Sequence, residues 1–408
     1  MGNNVTRLQH FVPREHIRPF DSDGDECVCV FNKVDGLIKT RMPIGAICAE
    51  NWMYESPRLP TNFVEKKVTH RIENAFWPIR DRILEGSVEA LSPSDRKMIL
   101  RYVTFQDVRT RSSFAHQEQV SNYLMDLINE VGASRRFGMP TDDRDARELA
   151  RHAYLSSISG DQLPKSMSHL TLRIVRSASR SFVLGDDPVF RDNPTFSAAW
   201  GRWNGYRSPG VEVFMPISPK IGILAFCTDT LQRLDQLCHG DPVKSGPGWS
   251  VWLEEDFQGY TLRGSHRMDV AREKCERYLR SGLVIDVDDV FVEEKNTAAV
   301  TFASRWIIGQ TERDVELAKE LAEKDPELAE PPVVDGEAIA LRTLVPNAID
   351  QFIKHSFPNA NHGEIEILRL TTFERLFKPA MERLRERRGF GGDQELSLIL
   401  RPASVLED

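Results

Sequence analysis

The feature that most constrains the fold of this chain is a change in the spacing of its apolar residues near residue 62. Over the first sixty residues, short apolar runs such as residues 28–31 alternate with Gly and Pro, which is typical of strands joined by turns. From about Asn62 to Glu85 the apolar residues fall along one helical stripe. Because the chain carries both patterns, we predict an α+β fold, a helical bundle region packed with short antiparallel sheets.

The helical pattern recurs further along the chain. Ser92 can cap a helix that has Pro93 in its first turn, and a third helix is expected to run through residues 123–128. Residues 297–308 and 312–323 are also predicted to be helical.

Two pairs of strands are predicted in the middle of the chain. Residues 170–174 and 181–184 indicate a hairpin that ends at Gly185. Residues 211–214 and 221–226 are both rich in β-forming residues and flank a Pro-containing break. We therefore expect two pairings that are local in sequence.

The length of the chain predicts more than one lobe, because 408 residues exceed the roughly 250 to 300 that a single core usually serves. Residues 1–325 are predicted to form one α+β domain. Residues 326–336, rich in Pro and acidic residues, indicate an exposed linker. A mostly helical C-terminal appendage is expected over residues 337–408.

Composition argues against several classes of protein. Lys and Arg number 53 against 61 Asp and Glu, a net charge of −8, so any contact with nucleic acid must come from a local site. The six cysteines are scattered without a C-x-x-C zinc motif, and no glycine loop indicates a nucleotide or flavin cofactor. With no apolar run near 18 residues and no apolar leader, we expect a cytoplasmic protein without a membrane partner.

Two polar residues lie on a helical face that should be apolar. At 100° per residue, Gln106 and Arg109 fall within the arc occupied by Ile99, Tyr102 and Phe105, so both are predicted to point inward. A buried guanidinium requires acceptors, because an unpaired buried charge is costly. Arg109 is therefore expected either to form a structural ion pair or to hold a phosphate or another anion.

The preceding helix carries two carboxylates near its apolar stripe. Glu65 lies one heptad before Ile72 on the stripe, and Glu73 borders it. Glu65 could form the ion pair with Arg109 that joins the two helices. Alternatively, Glu65 or Glu73 is a metal ligand or a general base.

A carboxylate pair and one histidine complete the candidate residues. Asp186 and Asp187 follow an apolar strand directly, in a position that is common both for turns and for catalysis. His10 stands beside an apolar anchor near the start of the chain. A lone His is more often structural, but an unperturbed pKa near neutrality makes His10 the best candidate for proton transfer.

Several short motifs occur in a definite order along the chain. They begin at Gln9-His10-Phe11-Val12-Pro13, continue through Gln106-x-x-Arg109-Thr110 and Gly185-Asp186-Asp187-Pro188, and reach Asn296. In this order they resemble the bacterial family called domain of unknown function 4238, over about residues 7–310. The family usually has Ser or Thr at position 185 and commonly Asn at position 187, so this chain departs from its pattern at both.

The resemblance implies a context, because some relatives look like stand-alone anti-phage defence proteins. Our first hypothesis is an intracellular defence effector that cleaves RNA or DNA as a metal-dependent nuclease. Its catalytic residues would be His10, Glu73 and Asp186, with Mg²⁺ or Mn²⁺ bound by Glu65, Glu73 and Asp186 and substrate held by Gln9, Gln106, Arg109 and Asn296. The alternative is a non-catalytic sensing module that recognises a small anionic ligand or a viral protein.

Overall fold

The structure is a computed structural model that describes residues 7–88, 91–130, 165–192, 205–206, 210–238 and 275–324, with a few scattered positions elsewhere. The strands are β1 (Leu8–His10), β2 (Cys27–Asn32), β3 (Leu37–Pro43), β4 (Ala49–Asn51), β5 (Thr171–Ser177), β6 (Leu184–Gly185), β7 (Phe190–Asp192), β8 (Glu212–Pro216), β9 (Ile221–Phe226), β10 (Val284–Val287) and β11 (Trp306–Gly309). The helices are α1 (Arg14–Ile17), α2 (His70–Leu84), α3 (Pro93–Val108), α4 (Arg111–Glu130), α5 (Thr228–Cys238), α6 (Asp289–Phe302) and α7 (Glu312–Lys324). The mixed α+β class is confirmed.

The described strands form three sheets. The largest has the order β10-β5-β9-β8-β7, in which β10 and β5 run parallel and the other neighbours antiparallel. A second sheet, β3-β2-β11-β6, is antiparallel throughout, and β1 pairs with β4 in a short antiparallel ribbon. The predicted antiparallel sheets therefore need one correction, the parallel pair β10–β5.

Of the two strand pairs predicted from the sequence, one is confirmed and the other is wrong. The strand pair β8–β9 is confirmed, with Phe214 opposite Leu224. The predicted hairpin of residues 170–174 and 181–184 is wrong, because β5 lies in the five-stranded sheet and β6 in the four-stranded one. The backbone of residues 181–183 instead bonds to Asn296 of α6, which satisfies the polar groups that a hairpin would have paired.

The helices α2 and α3 begin with distinct local signals. A π-helical segment, Glu65–Thr69, leads into α2, and Pro78 lies inside that helix. Ser92 caps α3 in a reciprocal capping box with Asp95, as the sequence predicts for the cap. The two helices pack against each other, with the rings of Phe76 and Tyr102 stacked at 3.8 Å between centroids.

The main apolar core surrounds α6. Its residues come from both large sheets and from α7, and they include Phe31, Phe214, Leu224, Phe291, Val300, Ile307 and Val315. The predicted helix over residues 297–308 is wrong at its end: α6 ends at Phe302, and β11 follows at Trp306. The helix predicted over residues 312–323 is confirmed as α7.

The chain divides into two compact units. The first comprises Met1–Glu55, Leu59–Ser113 and Leu155–Pro332, and it contains all the candidate residues named above. The second comprises Ser56–Arg58, Phe114–Tyr154 and Val333–Asp408, where Arg383 pairs with Glu130 at 2.7 Å. The predicted linker and nearly all of the predicted appendage fall outside the described residues. Among the described helices, none combines the length and apolar character needed to cross a bilayer.

Candidate functional site

The first strand carries two of the predicted residues. Gln9 is fully buried, and its side chain accepts a hydrogen bond from the backbone N–H of Tyr54 at 2.7 Å and donates to Glu55 at 3.2 Å. His10 is half-buried, and Arg14 donates to its ring at 3.4 Å. Burial, followed by the charge of Arg14, lowers the pKa of His10 to about 4. The imidazole is therefore neutral at physiological pH and a weaker base than the sequence suggested.

Arg109 is the centre of a closed polar network. Its Nη1 donates to the carboxylate of Glu73 at 2.5 Å, its Nη2 to the backbone oxygen of His10 at 2.5 Å, and its Nε to the hydroxyl of Tyr54 at 3.2 Å. The guanidinium also lies 4.9 Å from the ring centroid of Phe105. With 1% of its surface exposed, the Arg109 side chain points inward as predicted. We call Gln9, Tyr54, Glu73 and Arg109 the Arg109 cluster.

The carboxylate that neutralises Arg109 is Glu73 and not Glu65. Glu65 is partly buried, and its Oε2 atom has no hydrogen-bond partner among the described residues. Desolvation raises the pKa of Glu65, with the charge of Arg109 acting in the opposite direction. The structural ion pair expected of Arg109 therefore exists, but with the second of the two candidate carboxylates.

Gln106 and Asn296 both bind backbone. Gln106, fully buried as predicted, donates to the carbonyl of Phe11 at 2.6 Å. Asn296 accepts from the N–H of Val183 at 2.9 Å and donates to the carbonyl of Ser181 at 2.9 Å. Asn296 thus fixes the segment that leads into Asp186, so the structure gives it a positioning role in the fold.

Asp186 is held by backbone on both of its oxygens. It accepts hydrogen bonds from the N–H groups of Ser304 at 2.8 Å and Arg305 at 3.0 Å. Its own N–H donates to the carbonyl of Trp306 at 2.9 Å. Asp186 therefore shapes the turn between α6 and β11, which makes its neighbour Asp187 the more available carboxyl.

Asp187 meets two hydroxyls that sequence reasoning missed. Ser112 donates from its hydroxyl to Oδ2 of Asp187, and the hydroxyl of Thr110 lies beside them, 3.2 Å from that of Ser112. Thr110 belongs to the motif that contains Arg109. Nothing in the sequence indicates the contact between Ser112 and Asp187, which lie 75 residues apart. We call Lys33, Thr110, Ser112, Asp186 and Asp187 the Asp187 cluster.

Electrostatics in the Asp187 cluster favour a retained proton. Desolvation, the largest cause, raises the pKa of Asp186 to about 6 and that of Asp187 to about 7, and the charge of Asp186 adds to the rise at Asp187. Lys33 is the nearby cation: it donates to the carbonyls of Val300 at 2.7 Å and Ala303 at 2.8 Å, and both carboxylates act on its charge. Desolvation lowers the pKa of Lys33 to about 8, so it remains mostly charged at neutral pH.

The predicted metal ligands do not come together as one group. Within the described residues, no set of three or more His, Cys, Asp and Glu side chains is placed to hold a metal ion. Glu73 is paired with Arg109, and both oxygens of Asp186 accept backbone N–H groups. These donors compete with a cation for the carboxylate oxygens, and the three predicted ligands form no carboxylate cage in the described part of the chain.

The two clusters are neighbours because Thr110 follows Arg109 in the chain, and the backbone of β1 bonds to Arg109. Gln9, Gln106, Glu73 and Arg109 thus meet around β1, while Asp186 and Asn296 lie with the Asp187 cluster and α6.

The chain matches, over residues 8–313, the model of a family described as Protein of unknown function (DUF4238). Comparisons with curated proteins and with solved structures gave no match.

Proposed function

The chain belongs to this family of proteins of unknown function, so we propose its activity from its own residues: hydrolysis of a phosphodiester bond in RNA or DNA, as an intracellular defence effector. The observation that carries the proposal is the buried carboxyl pair Asp186–Asp187, next to a hydroxyl and a lysine. Such a pair is typical of an acid–base centre, since burial tunes one carboxyl toward neutrality.

The roles follow from what each side chain contacts. Asp187, at 9% exposure the more accessible carboxyl, acts as the general base. Asp186 holds the pair in place through its backbone hydrogen bonds and keeps the proton affinity of Asp187 high. Lys33 uses two of its three donors on carbonyls, and its charge attracts the phosphate. The Arg109 cluster fixes the backbone immediately before Thr110, since Tyr54 donates to the backbone oxygen of Arg109.

The hypothesis drawn from the sequence included Mg²⁺ or Mn²⁺, which would polarise the phosphoryl oxygen. The donors available in the described residues do not fit such an ion, for the reason given above, so no step of the proposal depends on it. His10 stays a candidate for proton transfer, although its low pKa makes Asp187 the stronger base.

A cleavage assay with matched variants tests the proposal. The purified chain is incubated with end-labelled single-stranded and duplex RNA and DNA, with Mg²⁺, with Mn²⁺ or with EDTA. We expect cleavage by the wild type and a loss of about 100-fold or more in Asp187→Asn, because general base catalysis contributes that much. Asp286→Asn changes an exposed carboxylate paired with Arg176 and should keep full activity. Equal cleavage by wild type and Asp187→Asn would refute the proposed centre.

A second candidate function rests on a different observation. The groups expected to hold substrate, including the amides of Gln9, Gln106 and Asn296 and the guanidinium of Arg109, are engaged with the chain's own backbone and side chains. A closed polar network of this kind also suits a non-catalytic sensing module. Thermal unfolding with mononucleotides, cyclic dinucleotides or inorganic phosphate distinguishes the two, because a sensor is stabilised by its ligand without turning it over.

A further inference from the structure

We infer that Ser112 is the nucleophile of the proposed hydrolase and that cleavage passes through a covalent nucleotidyl-serine, a phosphodiester between this serine and one side of the cleaved strand. The inference rests on the proposed function and adds to it the reacting atom on the enzyme. Three observations carry it: the carboxylate contact of Ser112, its exposure, and the different engagement of the neighbouring hydroxyls.

The hydroxyl of Ser112 has the partner that a nucleophile needs. Its Oγ donates directly to Oδ2 of Asp187, which places the transferable proton on the line between them. A serine hydroxyl is a weak nucleophile until an adjacent base removes its proton. Asp187 follows Asp186 in the chain, and two backbone N–H groups fix the carboxylate of Asp186. Nucleophile and base are thus in direct contact.

Exposure points the same way. Ser112 is partly exposed, whereas Asp187 behind it is 9% exposed and Thr110 is 1% exposed. A substrate phosphorus can therefore approach the serine oxygen from outside while the base stays shielded from water.

The neighbouring hydroxyls are engaged differently. Ser113 donates from its hydroxyl to the carbonyl of Asp107 at 2.7 Å, which directs it into the turn. The hydroxyl of Thr110 donates to Oγ of Ser113 at 3.1 Å. Thr110 also contacts Asp187, but it is only 1% exposed, so Ser112 is the partly exposed residue of the two whose hydroxyl contacts this carboxylate.

The proposed chemistry balances without another reactant than water. Oγ of Ser112 forms a bond to phosphorus while its proton passes to Asp187, the P–O bond to the leaving nucleoside breaks, and the leaving oxygen takes that proton. A water molecule then attacks the phosphorus of the nucleotidyl-serine and gives its proton to Asp187. The P–Oγ bond breaks, and Ser112 recovers a proton from the carboxyl. One water is consumed for each phosphodiester that is cleaved.

A fluorophosphonate probe on the full chain tests the inference. We expect the wild type to be labelled at Ser112, located by peptide mass spectrometry, at a rate at least about tenfold above that of Ser113. Ser112→Ala should lose the label, Ser113→Ala should keep it, and Asp187→Asn should slow labelling about tenfold or more because the base is lost. Labelling of Ser112 no faster than of Ser113 would overturn the inference.

Cleavage by the same variants separates the inference from the proposed function. Full cleavage by Ser112→Ala would overturn the nucleophile and leave the hydrolase standing, with Asp187 activating water directly. Labelling at Ser112 without cleavage of any RNA or DNA would instead refute the phosphodiesterase and leave a reactive serine. If Ser112→Ala is inactive, partial activity in Ser112→Thr, at an unchanged melting temperature, supports a chemical role of the hydroxyl over a structural one.

Discussion

The side chain of Arg109 holds several separate segments of the chain together. Its donors join Glu73, the backbone of His10 and the hydroxyl of Tyr54, so α2, β1 and the segment after β4 all depend on it. Tyr54 returns the contact by donating to the backbone oxygen of Arg109 at 3.0 Å. Burying an ion pair is not itself a large source of stability, but removing one member leaves the other unpaired in the interior.

We therefore expect Arg109→Ala to lower the free energy of unfolding by about 3 to 5 kcal/mol, because Glu73 loses its charged partner and the carbonyl of His10 loses its donor. Arg111→Ala, two residues away, removes an exposed arginine 4.0 Å from Glu50 and should change the free energy of unfolding by less than about 0.5 kcal/mol. Urea denaturation of both variants checks this. A loss below about 1 kcal/mol in Arg109→Ala would contradict the central position of this side chain.

The raised pKa of Asp187 predicts a pH dependence of stability. The folded state holds this proton up to about pH 7, whereas an unfolded Asp releases it near its ordinary pKa of 3.8. The contribution of this proton to the free energy of unfolding is thus complete below about pH 4 and is lost as the pH rises to about 7. Asp187→Asn cannot titrate at this position. Its free energy of unfolding relative to that of the wild type should therefore increase between about pH 4 and pH 7, by at most about 1.4 kcal/mol per pH unit.

Measuring the difference between the two proteins is essential for this test. His10 and His16 both have a pKa lowered to about 4 by burial, so their titration makes the folded state more stable as the pH rises. That effect opposes the one from Asp187 in the wild type but cancels in the comparison with Asp187→Asn. Urea denaturation at a series of pH values from 4 to 8 gives the comparison, and a difference that is flat across the series would refute the proton on Asp187.

At the scale of residues, helical spacing was sufficient to predict which side chains point inward but not which of them pair. Gln106 and Arg109 were predicted correctly because α3 is regular up to Val108. The partner of Arg109 could not be predicted, since Glu65 begins a π-helical segment in which the angular step differs from 100°. The contact of Ser112 with Asp187 spans 75 residues and has no local signature.

At the scale of elements, the boundary between α6 and β11 shows where apolar patterns are ambiguous. Residues 297–308 contain enough apolar residues for either a helix or a buried strand. The helix ends at Phe302 because Ala303 is extended and the carboxylate of Asp186 binds the next two N–H groups. β11 can then pair on both edges, with β2 and β6. The deciding contact comes from a residue more than 110 positions earlier in the chain.

The packing of β9 against its neighbours gives a prediction for a single glycine. A Cβ atom at Gly222 would lie 2.6 Å from Cε2 of Phe214 and 3.1 Å from Cγ2 of Val175. We expect Gly222→Ala to lower the free energy of unfolding by about 1 to 3 kcal/mol, the usual cost of overpacking. Gly282→Ala serves as the control, because that position has no atom within 4 Å. If circular dichroism melting shows both variants equally stable, β9 is not packed as described.

At the scale of the molecule, the four-stranded sheet joins residues distant in the chain. β2 and β3 come from residues 27–43, whereas β11 lies at residues 306–309 and completes the sheet with β6. Local patterns could predict the strands, but not a partner some 280 residues away, because every exposed apolar edge competes for the same pairing. The mixed α+β class was predictable because it requires only the strands and helices themselves. The sheet order was not predictable, because it depends on which distant strands pair.

The net charge of the whole molecule leads to a prediction about salt. A chain with a net charge of −8 repels a polyanion, so under the proposed function we expect few cations, Lys33 among them, to hold RNA at the Asp187 cluster. The logarithm of the association constant should fall with the logarithm of salt concentration with a slope of magnitude about 1 to 2, against about 6 or more for general binders. Lys33→Gln should reduce that slope by about 1, and the exposed Lys39→Gln should leave it unchanged. Fluorescence anisotropy of labelled single-stranded RNA with Asp187→Asn, which binds without cleaving, supplies the slopes. A steep slope that Lys33→Gln does not alter would place the nucleic-acid contact elsewhere on the chain.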